Sequence, residues 1–162
     1  SAAAGLFCAI AGAMTASSSQ SRSSFLGIPS KLYILGYVAS LATKLSDTFA
    51  SEIGKAYGKT TFLITTLERV PPGTEGAISA EGTAASVVGG LLLSLYGAAI
   101  GIIDVRAIPV SVVAAFVATN LESVLGATIQ GRDSFQWMTN EMVNFVNTAI
   151  GSAVAIFLGR YI

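Results

Sequence analysis

Five apolar runs make up most of the chain, and nearly all of its charge sits between them or at their ends. The runs extend over about Ala2 to Ala16, Leu32 to Ile53, Thr83 to Ile103, Ala107 to Ile129 and Glu141 to Arg160. Crossing the hydrocarbon core of a bilayer takes about 20 mostly apolar helical residues, and the helix is favoured there because it bonds every backbone N–H and C=O internally where water is absent. The pattern predicts an all-α, polytopic membrane bundle with about five transmembrane helices, forming a single domain over residues 1–162. Composition agrees, with 52% hydrophobic and 11% charged residues and a mean hydropathy of +0.69, whereas soluble domains carry about a quarter charged residues.

The same composition excludes several kinds of chemistry. Nine basic and nine acidic residues cancel, so the basic footprint that phosphate-backbone binding requires is missing and nucleic acid is not an expected partner. Cys8 is the single cysteine and there is no histidine, which removes an internal disulfide, a zinc site of the usual kind and a Ser/His/Asp triad. Chemistry must then run on carboxylates, amides, hydroxyls, lysine and arginine. The start on Ser1, leading straight into small apolar residues, lacks the charged beginning and cleavage site of a signal peptide and reads as the processed or truncated front of a longer membrane domain.

The connections differ in character. Residues 17–30 are rich in serine with Gly27 and Pro29, and the third connection is short, around Asp104 and Arg106. The fourth, Gln130 to Asn140, carries Arg132, Asp133, Gln136 and Trp137, an interfacial anchor. The second, Lys55 to Gly82, is the longest and contains Pro71, Pro72, Gly73 and Gly76. If the helices alternate in direction, the second and fourth connections share one membrane face, and the buried-depth polar residues sort toward it: Asp47, Glu52, Glu81, Asn120, Glu122, Asn140, Glu141 and Asn144. Carboxylates and amides at membrane depth are costly unless paired, hydrated or functional, so this sorting predicts one polar site near that face. Arg22, Lys31 and Arg106 flank the other face, against Lys55, Lys59, Arg69 and Arg132 on this one, a slight excess that favours the site-bearing face as the non-translocated one.

Three motifs are candidates for the chemistry. Ser46 to Gly54 places Asp47 and Glu52 among three hydroxyls at a helix end; helix capping or a polar helix contact would explain one acid, while two suit magnesium, which prefers oxygen ligands and bridges one or two carboxylates to substrate phosphates. Gly54 to Thr60 superficially resembles a P-loop, but only three residues separate its first Gly from the Gly-Lys pair where the Walker A motif has four and follows a strand; Lys55 and Lys59 remain as point charges for phosphate or for lipid headgroups. Val70 to Thr83 concentrates glycines, prolines, hydroxyls, Glu75 and Glu81 ahead of a helix, a composition suited to an anion-binding nest of backbone amides beside a helix N-terminus. Asn140, Asn144 and Asn147 fall on one helical face, either as interhelical hydrogen-bonding groups or as the lining of the site. Gly89, Gly90, Gly97, Gly101 and Gly151 are read as close helix contacts.

Taken in order, SDTFASEIG (46–54), GKAYGKTT (54–61), VPPGTEGAISAEGT (70–83), NLESVLGA (120–127) and NEMVNFVNTAIGS (140–152) resemble the transmembrane protein 19 family, and within it the phytyl-phosphate kinase branch of plant and algal plastids. The form GTEGA of the Gly-rich loop points to that branch, where more distant members tend to have GTNGG. The resemblance covers nearly the whole chain. It implies transfer of a phosphoryl group from a nucleoside triphosphate, CTP in related polyprenol and phytol kinases, to phytyl monophosphate. The product, phytyl diphosphate, serves tocopherol (vitamin E) and phylloquinone synthesis in a chloroplast membrane, either envelope or thylakoid. The family's upstream helices lie outside this sequence, and part of the site is expected there.

Roles within that activity are assigned by chemistry, since phosphoryl transfer is largely positioning and charge neutralisation. Asp47, Glu52 and Glu81 are the expected magnesium ligands, with Glu122 a further catalytic candidate. Lys55, Lys59, Thr60 and Arg69 are expected to meet phosphate or nucleotide together with Gly73, Thr74, Glu75, Gly76 and Ser79 of the loop and with Asn120, Asn140 and Asn144. Two other classes stay open: a transporter or channel, whose site would lie near the midplane, and a non-catalytic membrane subunit whose acids would be buried against membrane-protein partners.

Overall fold

In a computed structural model, residues 3–17, 28–128 and 139–162 are described. Five α-helices follow one another: α1 (Ala3–Ser17), α2 (Ser30–Tyr57), α3 (Ala80–Ala99), α4 (Ile108–Thr128) and α5 (Asn140–Leu158). The connections carrying Arg22 and Arg132 to Trp137 lie outside the described residues. Between α2 and α3 the chain forms two short antiparallel strands, β1 (Thr61–Leu63) and β2 (Ala77–Ser79), with Phe62 opposite Ile78. The second connection is therefore built structure rather than plain loop. Within β1, the β-branched Thr61 and the aromatic Phe62 were the signal for extended backbone.

The helix α3, the stretch Val105–Thr128 and the stretch Glu141–Tyr161 are long and apolar enough to cross a membrane by length and composition. The expectation of five spans is met for these three. Helix α1 is apolar but short, and α2 is long enough but diluted by Thr43, Lys44, Ser46 and Asp47 in its interior. That dilution follows from position, because α2 is the central helix and packs against all four others.

The bundle is inverted relative to a soluble domain. Large apolar side chains face outward, among them Val88, Leu92 and Tyr96 on α3, Val113 and Leu121 on α4, and Phe145 and Phe157 on α5. Small and hydroxylated residues fill the interior: Ala39, Ala42, Thr43, Ser46, Ser86, Ser94, Ser111, Ala114 and Ala118. Between apolar lipid and apolar side chain there is little hydrophobic driving force, so helices associate through close packing and interhelical hydrogen bonds. Ser46 Oγ donates to the Ser86 carbonyl at 2.8 Å, Ser94 Oγ to Ser111 Oγ at 2.8 Å, and Ser152 Oγ to the Gly36 carbonyl at 2.9 Å. A methyl group added at Gly89 would stand 2.9 Å from the Leu45 carbonyl oxygen, and one at Gly82 would stand 2.7 Å from that of Ala50; α2 and α3 thus touch along their backbones. Gly101, read from sequence as a helix contact, instead ends α3: with φ +76°, it lets the Ile102 amide bond back to the Gly97 carbonyl at 2.9 Å.

Candidate functional site

The hairpin between α2 and α3 closes one end of the bundle over a cavity of about 140 Å³. Two successive tight turns shape it. The Thr74 amide bonds to the Pro71 carbonyl at 3.2 Å with Gly73 at φ +88°, and the Ala77 amide to the Thr74 carbonyl at 3.0 Å with Gly76 at φ +74°. Both have the type II pattern, in which the third residue needs positive φ and proline suits the second position of the first turn. Gly76 has a further constraint: a Cβ there would lie 2.5 Å from Ala127 N and 2.6 Å from the Ser123 carbonyl oxygen. The tip of the hairpin is clamped on the last turns of α4. Among the described residues, the amides of Gly73, Glu75 and Gly76 have no acceptor, which leaves them available to an anion.

The other walls come from helix ends. Asp47, Ser51, Gly54 and Lys55 of α2, Thr83 and Ser86 of α3, and Thr119, Asn120, Glu122 and Ser123 of α4 line the cavity with Gly73 to Ser79. Ser79 caps α3, its Oγ accepting from the Gly82 amide at 3.0 Å, and so turns the N-terminal amides of that helix toward the cavity side. Asp47 of α2 and Glu122 of α4, far apart in sequence, thus face one cavity. Two carboxyl groups lining one small cavity are a pair of oxygen donors suited to a hard cation.

Of the residues expected from the sequence, the structure brings together Asp47, Glu122, Lys55, Asn120 and the Gly73, Thr74, Glu75, Gly76, Ser79 loop. It does not gather the remaining two acids of the expected magnesium set. Glu52 points outward with its side chain 70% exposed and pairs with Lys55 at 3.9 Å, because five positions turn it about 140° around α2 from Asp47. Glu81, in the first turn of α3, lies outside the cavity lining. No group of three Asp, Glu, Cys or His side chains able to share one ion occurs among the described residues. Lys59, Thr60 and Arg69 also fall outside the lining; the backbone of Arg69 pairs with that of Phe62 in an isolated antiparallel β-bridge. Lys55 belongs to the last turn of α2, not to a loop, which agrees with the rejection of a P-loop. The side chain of Asn140 lies outside the described residues.

Asn144 stands behind the cavity with Asn147, which the sequence placed on the same helical face as a hydrogen-bonding or site-lining group, and with Lys44, to which the sequence reading gave no role. Lys44 Nζ donates to Asn144 Oδ1 and lies 3.4 Å from Asp47 Oδ2. Asn147 Nδ2 donates to Glu122 Oε2 at 3.2 Å. The spacing of Lys44 and Asp47, three apart on one helix face, was the available signal.

A family model described as integral membrane protein DUF92 matches residues 1–152. The chain belongs to this family. It is an integral membrane protein, and the resemblance read from the ordered motifs is borne out. It is 61% identical over 122 residues to an uncharacterized membrane protein, sll0875, of Synechocystis, covering 75% of this chain and 46% of that one. Protein VTE6, chloroplastic, of Arabidopsis thaliana is 47% identical over 133 residues, covering 82% and 40%. An uncharacterized membrane protein of Methanocaldococcus jannaschii, MJ0933, is 32% identical over 125 residues, covering 77% and 51%. The chain thus spans about half the length, or less, of these relatives. No solved structure matches.

Proposed function

We propose that the hairpin-capped cavity is the phosphoryl-transfer site of a membrane kinase. In this reading the kinase converts phytyl monophosphate to phytyl diphosphate at the expense of a nucleoside triphosphate, CTP by the family resemblance. The product would feed tocopherol and phylloquinone synthesis in a plastid membrane, a location supported by similarity to a chloroplastic plant protein and a cyanobacterial one. The observation that carries the reading is the convergence on one small cavity of two carboxyl groups, a lysine and a loop with unbonded amides.

A volume of about 140 Å³ suits phosphate groups and an ion, and falls short of the roughly 300–1,000 Å³ of sites that enclose a whole drug-sized ligand. The nucleoside and the isoprenoid tail must then lie outside it, the tail in lipid beside the apolar outer faces of the helices. An oxygen of the phytyl phosphate attacks the terminal phosphorus of the nucleotide, the bond from that phosphorus to the bridging oxygen breaks, and nucleoside diphosphate leaves. The attacking group is already an anionic phosphate oxygen, so no base is needed, in keeping with a site without histidine. Lys55 neutralises phosphate charge as a point cation, and the loop amides hold the oxygens. The oxygen-only donor set of Asp47 and Glu122 fits Mg²⁺, which commonly takes one or two carboxylates and completes its shell with phosphates and water. Bound there, it would supply neutralisation of phosphate charge.

The test is transfer of the terminal phosphoryl group from each labelled nucleoside triphosphate to phytyl phosphate by the full-length protein in membranes. Labelled phytyl diphosphate, formed with one nucleotide preferred, is expected. Failure to label it with any nucleotide would overturn the proposal.

A further inference from the structure

Helix α5 lines no part of the cavity, yet it reaches both carboxylates. Asn144, one turn before Asn147 on the same face, accepts from Lys44, which pairs with Asp47 at 3.4 Å. Asn147 donates to Glu122 at 3.2 Å. Asp47 and Glu122 face each other across the same cavity lining. The result is a row running from α5 through Lys44 to Asp47, across to Glu122, and back through Asn147 to α5.

The two ends of this row are expensive. Lys44 is a cation in the interior of the central helix, where a charge is retained only when paired or functional. Asn147 is fully buried, and its Oδ1 is a side-chain atom left without a partner among the described residues. An unpaired buried acceptor destabilises a fold, and an apolar side chain of similar size would remove that defect. Packing therefore gives no reason for an asparagine at 147, whereas the bond from its Nδ2 to Glu122 does. Residues that lower stability while serving a site are the usual form of the trade-off between the two.

We infer that Asn147 and Lys44 are positioning residues that hold Glu122 and Asp47, respectively, in the geometry the reaction needs, so that α5 sets the site from behind without touching substrate. This rests on the phosphoryl-transfer reading above and deepens it.

The two roles of Asn147 separate experimentally in the full-length protein. Asn147→Leu fills the same space, removes the orphaned acceptor and deletes the donor to Glu122. Expected is an unchanged or higher Tm in detergent, by roughly a few degrees at most, together with a fall in kcat of about tenfold or more and little change in KM for the nucleotide. Asn147→Ser keeps a hydroxyl donor in a smaller side chain and should recover part of kcat if a bridging water restores the contact. Lys44→Met should lower kcat in the same way, with Lys44→Gln, which keeps a donor, falling between Met and wild type. A clear drop in Tm for Asn147→Leu, or a wild-type kcat in it, would overturn the inference. Asp47→Asn measured alongside distinguishes the two levels: loss there with normal Asn147→Leu turnover defeats only the positioning role, while normal turnover in Asp47→Asn defeats the site itself.

Discussion

Among the described residues, the hairpin end of the bundle carries most of the charge and draws part of it inward, whereas the other end leaves its few charges on the surface. At the hairpin end, Asp47 and Glu122 are drawn inward to line one cavity, and Lys44 is tied to both Asp47 and Asn144. At the other end, Lys31, Arg106 and Arg160 stand exposed around a wide groove of about 1,020 Å³ with an apolar floor that includes Leu32, Leu35 and Ile103. Its acid, Asp104, caps a short 3-10 turn by accepting from the Arg106 amide at 2.8 Å. Exposed cations at a helix end are stable anywhere near headgroups, whereas buried carboxylates are not. Charge marks a site here where it is buried and convergent, and only an outer surface where it is spread.

The largest expected effect lies at the buried end. Asp47→Asn keeps size and some hydrogen bonding but removes the charge facing Glu122. It should insert normally and reduce phytyl diphosphate formation by at least about a hundredfold, on the order of 2.7 kcal/mol of transition-state stabilisation. Next comes Gly76→Ala, which drives a methyl group into backbone atoms of α4 that cannot give way as a flexible side chain could. Lifting the hairpin off α4 should cut transfer by about tenfold or more and lower Tm, since positive φ and close contact act together. Lys55→Met comes third. Its side chain is 56% exposed and its pairing with Glu52 at 3.9 Å is loose, so stability should hold while KM for the nucleotide rises by roughly threefold to tenfold, read from initial rates at varied nucleotide. The smallest effect belongs to the open end: replacing Lys31, Arg106 and Arg160 together by Gln should leave transfer within about twofold. A larger loss there would erase the contrast between the ends.

Much of this was legible in the sequence because hydrophobic run length and end-sorting survive without knowledge of the fold. The three spans of α3, α4 and α5, the gathering of polar residues toward one end and the importance of the Pro71 to Ser79 stretch all follow from them. The pairing within the site did not, because it depends on how each helix is rotated. Glu52 was grouped with Asp47 as a neighbour in sequence, yet helical geometry alone puts it about 140° away, while Ser51, four residues on, shares the Asp47 face and lines the cavity. Glu81 was grouped by closeness to the Gly-rich loop, but Ser79 caps α3 so that Glu81 falls in its first turn, outside the lining. Lys44 was given no role: its spacing from Asp47 on α2 was visible, but its second partner, Asn144, sits on α5. The sharing of one cavity by Asp47 and Glu122 requires the α2–α4 contact, which no local pattern records.

Glu122 and Glu52 give the most direct comparison, since both were acids of the expected site and only one faces the cavity. The measurement is phosphoryl transfer to phytyl phosphate by full-length Glu122→Gln and Glu52→Gln in membranes, at matched protein level and with saturating nucleotide and magnesium. The account predicts that Glu52→Gln stays within about twofold of wild type while Glu122→Gln loses at least about a hundredfold. Near-normal turnover by Glu122→Gln, or a comparable loss in Glu52→Gln, would contradict it.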